Sequence, residues 1–226
     1  MPRTMTSPPE ALGPTERTLV LVADQEFIME RPTQTDRLLD HPYVQEAFAA
    51  DEYLPYWTDL WPAARMLAKA IVHQSWEPGQ EVLELGCGLG LPGVAALFGG
   101  VRMIFSDYDG TALRFAENNA ILNGYTSFRT LLMDWRCPPP DLRVSVILAS
   151  DLTYEMRNIE PLVKTIKRVM LPEGTCLLTD PDRTFATALC EQVRAAGLAF
   201  TTEITHAGEP GGRRVRGTLY RIRHMS

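Results

Sequence analysis

The chain is expected to fold as one α/β domain, a mostly parallel sheet with helices on both faces, closed by an antiparallel hairpin at its C-terminal end. Three observations carry that expectation. From Glu81 to Ala196 short apolar or β-branched runs alternate with segments of helical periodicity, the signature of repeated βα units. The first such unit holds the stretch VLELGCGLGLPG, Val82 to Gly93, with glycines between its strand and its helix. Beyond Gly197 the alternation stops, and LAFTTEITHAGEPGGRRVRGTLYRI reads as two β-like runs joined by a Gly- and Pro-rich turn.

Taken in order, residues 1–17 (MPRTMTSPPEALGPTER) are rich in Pro, Ser and Thr and read as a flexible tail with no apolar leader segment. Residues 18–226 are expected to form a single domain, with 18–60 a hairpin and cover segment and 61–226 the core. Thr18 to Glu30 reads as two short strands turning at Ala23-Asp24-Gln25. The stretch from Asp36 to Trp57 is irregular, and its Pro and Asp spacing suggests a loop with one helical turn. WPAARMLAKAIVHQ then sets Ala64, Met66, Leu67, Ala70 and Ile71 at helical spacing, with Pro62 tolerated in the first turn. Strands follow at Glu81–Leu85, Val101–Ser106, Phe128–Leu132, Val144–Ala149 and Thr175–Thr179. Helices fall near Pro92–Leu97, Gly110–Leu122, Ile159–Met170 and Thr184–Ala196.

Bulk composition narrows the function classes. With 226 residues, 45% of them hydrophobic, the chain can bury a core without disulfides or a metal. A formal net charge of -6 gives no general attraction to nucleic acid or anionic lipid. The local exception is Arg213, Arg214, Arg216, Arg221 and Arg223, which reads first as the solvated face of a hairpin and second as a patch for an acidic partner. Cys87, Cys137, Cys176 and Cys190 form no CxxC pair and have no nearby His to complete a metal site. Free thiols and the absence of a ~20-residue apolar run suit a cytoplasmic protein.

The glycine stretch can be read in two registers. From Gly88 it satisfies GxGxxG, a dinucleotide fingerprint; from Glu84 it reads E-x-G-x-G-x-G through Gly86, Gly88 and Gly90. The fingerprint wants its first glycine at the strand end, which favours the second register and sets Glu84 at the strand's carboxyl end, near the mouth of a site. A carboxylate there would repel a pyrophosphate and attract the amino-acid moiety of S-adenosylmethionine. Asp107 ends the next strand, where an acid would take ribose hydroxyls; Asp109 is the better cap for the helix opening at Gly110. Tyr108 could lie against an adenine, and Asp134-Trp135 after the third strand is placed to bond and stack the same base, or Trp135 simply packs in the core.

Together these segments resemble the seven-β-strand S-adenosylmethionine-dependent methyltransferases. PYWTDLWPAARMLA (Pro55 to Ala68), SDLTYE (Ser150 to Glu155) and LLTDPDR (Leu177 to Arg183) are similar to the branch containing protein-lysine methyltransferases, among them the electron-transfer-flavoprotein β-subunit lysine methyltransferase and bacterial nicotinamide N-methyltransferase-like proteins. The resemblance implies a Rossmann-like seven-stranded sheet and S-adenosylmethionine as cofactor, with Trp61, Cys87 and Ser150 joining the residues above as contacts. Asp151 and Tyr154, from its D-x-x-Y element, would border the acceptor. The family tends to carry Asp-Pro-Gly-Arg where this chain has Asp180-Pro181-Asp182-Arg183, which leaves acceptor contacts from Asp180 and Arg183 open against a plain Pro turn.

An amine acceptor suits those residues, since Asp151 could orient or deprotonate it and Tyr154 could wall the channel. Trp57 either lines that channel or staples the N-terminal segment. The leading expectation is an N-methyltransferase acting on a lysine side chain of a protein. A small-molecule amine methyltransferase, a non-catalytic cofactor-binding scaffold and, more distantly, an NAD-linked oxidoreductase stay open. A protein acceptor predicts an open groove over Asp151; a small molecule predicts enclosure by Arg31 to Pro55. Oligomeric state is not legible.

Overall fold

The computed structural model describes residues 12–51, 54–182, 185–208 and 211–225. Two strands, β1 (Thr15–Val22) and β2 (Gln25–Pro32), form a separate antiparallel hairpin. Val22 pairs with Gln25 across a two-residue turn, with Ala23 at φ 55°. The first strand therefore begins inside the stretch expected as tail. Helices α1 (Thr35–Leu39) and α2 (Pro42–Asp51) replace the expected loop with one helical turn. Leu38 and Val44 explain the difference, because each is buried in the core and anchors its short helix there. A 3₁₀ turn, Tyr56–Thr58, leads to α3 (Pro62–Val72), where proline occupies the first helical position as its fixed φ favours.

The main sheet follows with β3 (Glu81–Leu85), α4 (Leu91–Phe98), β4 (Arg102–Asp107), α5 (Gly110–Leu122), β5 (Phe128–Leu132), β6 (Val144–Ser150), α6 (Met156–Val169), β7 (Met170–Asp180), α7 (Ala186–Ala195), β8 (Leu198–Ala207) and β9 (Val215–His224). Its seven strands run in the order β5-β4-β3-β6-β7-β9-β8, parallel except that β9 lies antiparallel to both of its neighbours. The chain fills one half of the sheet from β3 outwards, then returns to the other side of β3 with β6. That reversal opens a crevice at the carboxyl ends of β3 and β6.

Strand alternation loads both faces. Val82, Met103, Phe105, Val146 and Leu148 join one core with α3, α4 and α5. Leu83, Leu85, Ile104, Ile147 and Ala149 join the opposite core with α6 and α7. The hairpin is tied to the first of these layers by two asparagines one turn apart on α5 and at its end. Asn119 accepts from Glu30 N (2.7 Å) and donates to Glu30 O (3.2 Å), while Asn123 does the same for Ile28 (2.9 and 2.8 Å). Each side-chain amide thus stands in for a peptide group along the edge of β2.

Helix α6 starts at Met156, a turn before the expected Ile159, with Glu155 in the N-cap position but no side-chain cap bond. Asn158 does not cap it, because its side chain is buried and turned towards Tyr154. Asp182 has φ 54°, the left-handed backbone that a glycine takes without strain. Arg183 lies outside the described residues. No helix among the described residues is long and apolar enough to cross a membrane.

Candidate functional site

A cavity of about 570 Å³ opens at the crevice between β3 and β6, within the usual range for a small-molecule site. Its floor is the turn after β3. Gly86, Gly88 and Gly90 all have positive φ, and Gly90 is the N-cap of α4. Gly93, one turn into that helix, matters for packing instead, since a Cβ there would come within 2.2 Å of the Phe105 ring and 2.7 Å of Glu84 Oε2. The helix can lie close on the sheet only because that carbon is missing.

One buried acid organises the wall at the end of β4. Asp107 Oδ2 accepts from Gly88 N at 2.8 Å, and its Oδ1 accepts from Asp109 N at 2.9 Å. Burial pushes the Asp107 carboxyl up to about 6, against the pull of those two amides. Asp109 caps α5 as expected, accepting from Thr111 N at 2.7 Å, and its second oxygen accepts from Trp57 Nε1 at 3.0 Å. Trp57 also packs on Phe115 and lies against the backbone of Gly88. It therefore staples its segment down, and it also lines the cavity on the side of Gly88.

The structure brings nearly every sequence-selected site residue to this cavity. Gly86, Cys87, Gly88 and Gly90 line it from the first turn, Asp107 and Tyr108 from the end of β4, and Asp134 and Trp135 from beyond β5. Ser150, Asp151 and Tyr154 line it from the end of β6, and Trp61 from the cover segment. Glu84 is the exception. It is 1% exposed and does not reach the cavity; its Oε2 accepts from Gly93 N at 3.0 Å, and its Oε1 has no hydrogen-bond partner among the described residues. The expected place at the mouth is corrected by the strand's alternation, which points Glu84 under the turn and against α4. Burial, with Asp107 nearby, holds its carboxyl well above the usual range. Cys87 is likewise kept a thiol, by burial first and then by Asp107 and Glu84.

Three features were missed or only half seen in the sequence. Arg136 grips Asp134 from Nε (3.0 and 3.1 Å) and NH2 (2.9 Å), and its guanidinium lies 5.9 Å from the Tyr108 ring centre. Tyr56 makes edge contacts with both Trp61 (6.0 Å) and Tyr154 (5.6 Å), and its carbonyl accepts from Trp61 Nε1 at 2.7 Å. Asp180 is buried behind the D-x-x-Y turn, bonded to Thr153 Oγ1. It shapes that turn and is no part of the cavity wall. The only advance signal for Arg136 and Tyr56 was adjacency to Asp134-Trp135 and to Trp57.

At the end of β6 Asp151 has φ 59°, and its amide donates to Thr179 O at 3.1 Å. A non-glycine residue held left-handed costs about 1–3 kcal/mol and persists where the surroundings fix it. Tyr154 and Tyr56 remain 38% and 45% exposed at the mouth. Burial pushes the Tyr154 phenol up, so it stays protonated at neutral pH.

Three left-handed glycines after β3, the buried Asp107 at the end of β4 and the aromatic residues beyond β6 surround one cavity, and comparison gives the chain a family. Residues 56–192 match the family model described as lysine methyltransferase. The chain belongs to that family. Its relatives include a histidine protein methyltransferase 1 homolog of Dictyostelium discoideum, 31% identical over 44% of this chain and 34% of that one. Histone-arginine methyltransferase METTL23 of Homo sapiens is 30% identical over 49% of this chain and 62% of its own. A ribosomal protein L11 methyltransferase of Actinobacillus succinogenes is 31% identical over 50% and 38%. The chain thus spans between about a third and three-fifths of these relatives. Among solved structures, the ribosomal protein L11 methylase of Lactobacillus delbrueckii has a TM-score of 0.59 at 17% identity, covering 72% of this chain and 79% of that one. A TehB-like SAM-dependent methyltransferase of Corynebacterium glutamicum has 0.55 at 15%, covering 80% and 95%. The fold is that of the class I methyltransferases.

S-adenosylmethionine is the methyl donor of that class, and the cavity fits it. The backbone of the first turn leaves room for close approach, α4 presents its N-terminus, and a buried carboxylate stands at the end of β4.

Proposed function

We propose that the protein is an S-adenosylmethionine-dependent N-methyltransferase whose acceptor is a lysine side chain of another protein. The observation that carries a protein acceptor is the open mouth. Among the described residues of the segment from Arg31 to Pro55, Leu54 alone reaches the cavity. The half-exposed Tyr56 and Tyr154 flank a way in to Asp151. Relatives named for histidine, arginine and ribosomal-protein methylation favour protein acceptors in general; the family model's description favours lysine.

In this reading Asp107 takes the ribose hydroxyls, Tyr108 and Trp135 face the adenine, and the amino-acid end lies over Gly86 to Gly90. When bound, the cofactor supplies an electrophilic methyl group on a sulfonium. The chain has to deliver a neutral amine in line with it. A lysine amine has an unperturbed pKa of about 10.4, so it arrives protonated. The Asp151 carboxylate attracts the ammonium, orients it and accepts its proton or passes it to solvent, leaving the lone pair free to attack. Tyr56, Trp61 and Tyr154 present ring faces and edges that bind the alkyl chain and favour a cation at entry. The phenol of Tyr154 adds one donor.

The test is transfer of a labelled methyl group from S-adenosylmethionine to proteins of the source cell, followed by hydrolysis and identification of the labelled residue. Methyl-lysine is expected. Label in methylhistidine or methylarginine would replace the acceptor, and label confined to small molecules would overturn the protein reading.

A further inference from the structure

We propose that the tip of the β8–β9 hairpin is a docking surface for an acidic segment of the protein acceptor, flanking the residue that enters the cavity. The inference rests on the protein-acceptor reading above.

Position comes first. β9 runs antiparallel to β7, with Thr218 opposite Asp180. Residues before Thr218 therefore stand at the carboxyl end of β7, on the same rim of the sheet as the cavity. A second hollow of about 280 Å³ lies there, lined by Leu60, Pro62, Arg65, Gly208, Gly212 and Arg213. Leu60 lines both hollow and cavity, Trp61 the cavity and Pro62 the hollow. Three consecutive residues span no more than about 10 Å, so this wall separates the two by less than a short peptide's reach. A segment whose amine points at Asp151 can lay a neighbouring side chain across Leu60 and Pro62.

The chemistry of the tip selects a carboxylate. Arg213 and Arg214 are exposed and make no ion pair among the described residues. Arg216 is held by Asp182 at 3.3 Å, and Asp182 in turn accepts from Thr218 Oγ1 at 2.5 Å, so the tip is braced against the end of β7. Arg65, 9% exposed, forms part of the wall of the hollow and keeps its own contacts. Guanidinium groups suit planar, bidentate recognition of carboxylates. The chain's net charge of -6 opposes an acidic partner in general, so such a partner needs a local cluster of exposed arginines, and Arg213 and Arg214 supply one here.

The experiment compares the wild-type protein with the double variant Arg213→Glu, Arg214→Glu. Both are titrated with S-adenosylhomocysteine and assayed for labelled-methyl transfer to source-cell proteins, with and without poly-L-glutamate. Cofactor-product affinity should agree within about twofold, because neither arginine touches that cavity. Protein labelling by the variant should fall about tenfold, as expected when rim charges that steer association are reversed, and poly-L-glutamate should inhibit only the wild type. Unchanged labelling, or equal inhibition of both proteins, would overturn the docking surface while leaving the methyltransferase reading intact. A wild type that labels no protein would overturn both.

Discussion

Asp107 gives the cofactor site a pH dependence that can be worked from the structure. Its carboxyl is raised from 3.8 to about 6 by burial, a difference of about 2 units, or about 3 kcal/mol against the ionised form. The native state holds this proton more tightly than the unfolded chain. In the free protein this group therefore costs stability as pH rises from 3.8 through 6, and the cost is relieved on acidification. Ligand binding runs the other way. Ribose hydroxyls donate to a carboxylate, so the ionised form binds and the protonated form must first lose its proton. With a pKa of about 6 the ionised fraction drops about tenfold between pH 7 and pH 5, and affinity for S-adenosylhomocysteine should drop with it. The ligand's own α-amino group stays charged in this window.

The perturbation is Asp107→Asn. Both carboxylate oxygens accept backbone amides, from Gly88 and Asp109, and an amide side chain can satisfy only one of them. Leaving the other unmet costs about 1–3 kcal/mol, which offsets the roughly 3 kcal/mol relieved by removing the buried charge, so the variant should fold with near wild-type stability at pH 7. It should bind S-adenosylhomocysteine more weakly and with no slope between pH 5 and 7. Calorimetric titrations at pH 5, 6 and 7 on both proteins read this directly. A wild-type affinity that is flat over the window, or a variant that keeps the slope, would refute the assignment of Asp107 to the ribose.

Asp151→Ala should lower methyl transfer at least about 100-fold, the scale of a lost general base, while S-adenosylhomocysteine affinity in the calorimeter stays within about twofold; retained transfer would remove Asp151 from the acceptor chemistry. Trp57→Phe deletes the indole donor to the buried Asp109, a loss of about 1–3 kcal/mol, read as a melting temperature lower by about 3–10 °C; a change under about 1 °C would show that the staple rests on ring packing. Gly93→Ala sets a methyl 2.2 Å from the Phe105 ring, and overpacking of this kind costs about 1–3 kcal/mol or more, so chemical denaturation should show an early midpoint, and an unchanged one would mean that α4 shifts freely. Asp182→Gly relieves a left-handed φ worth about 1–2 kcal/mol but loses the Thr218 bond and the Arg216 pair, so its melting temperature should move little.

The sequence exposed the cofactor half of the site more fully than the acceptor half, and the reason is physical. A βα turn that carries ligand must place its glycines, its strand-end acid and its helix cap at fixed offsets, because backbone geometry dictates them. Gly86, Gly88 and Gly90 as the turn after β3, Asp109 as the α5 cap and the parallel run of β3 to β7 were legible from spacing and alternation, whereas the strand order was not. Glu84 failed at the next level: its place in the strand was right, but the side on which it points depends on the pleat, and the pleat sends it under the turn to Gly93. Tyr56 reaches Tyr154 across ninety-eight positions of chain, and no local pattern specifies such a meeting. Helices α1 and α2 escaped for the opposite reason, since each is short and, among the described side chains, anchored by Leu38 or Val44, too little for periodicity to show. Where fixed backbone offsets determine a contact, adjacent letters suffice. Where a tertiary meeting determines it, as between Tyr56 and Tyr154 at the mouth of the cavity, the sequence carries no local pattern to read.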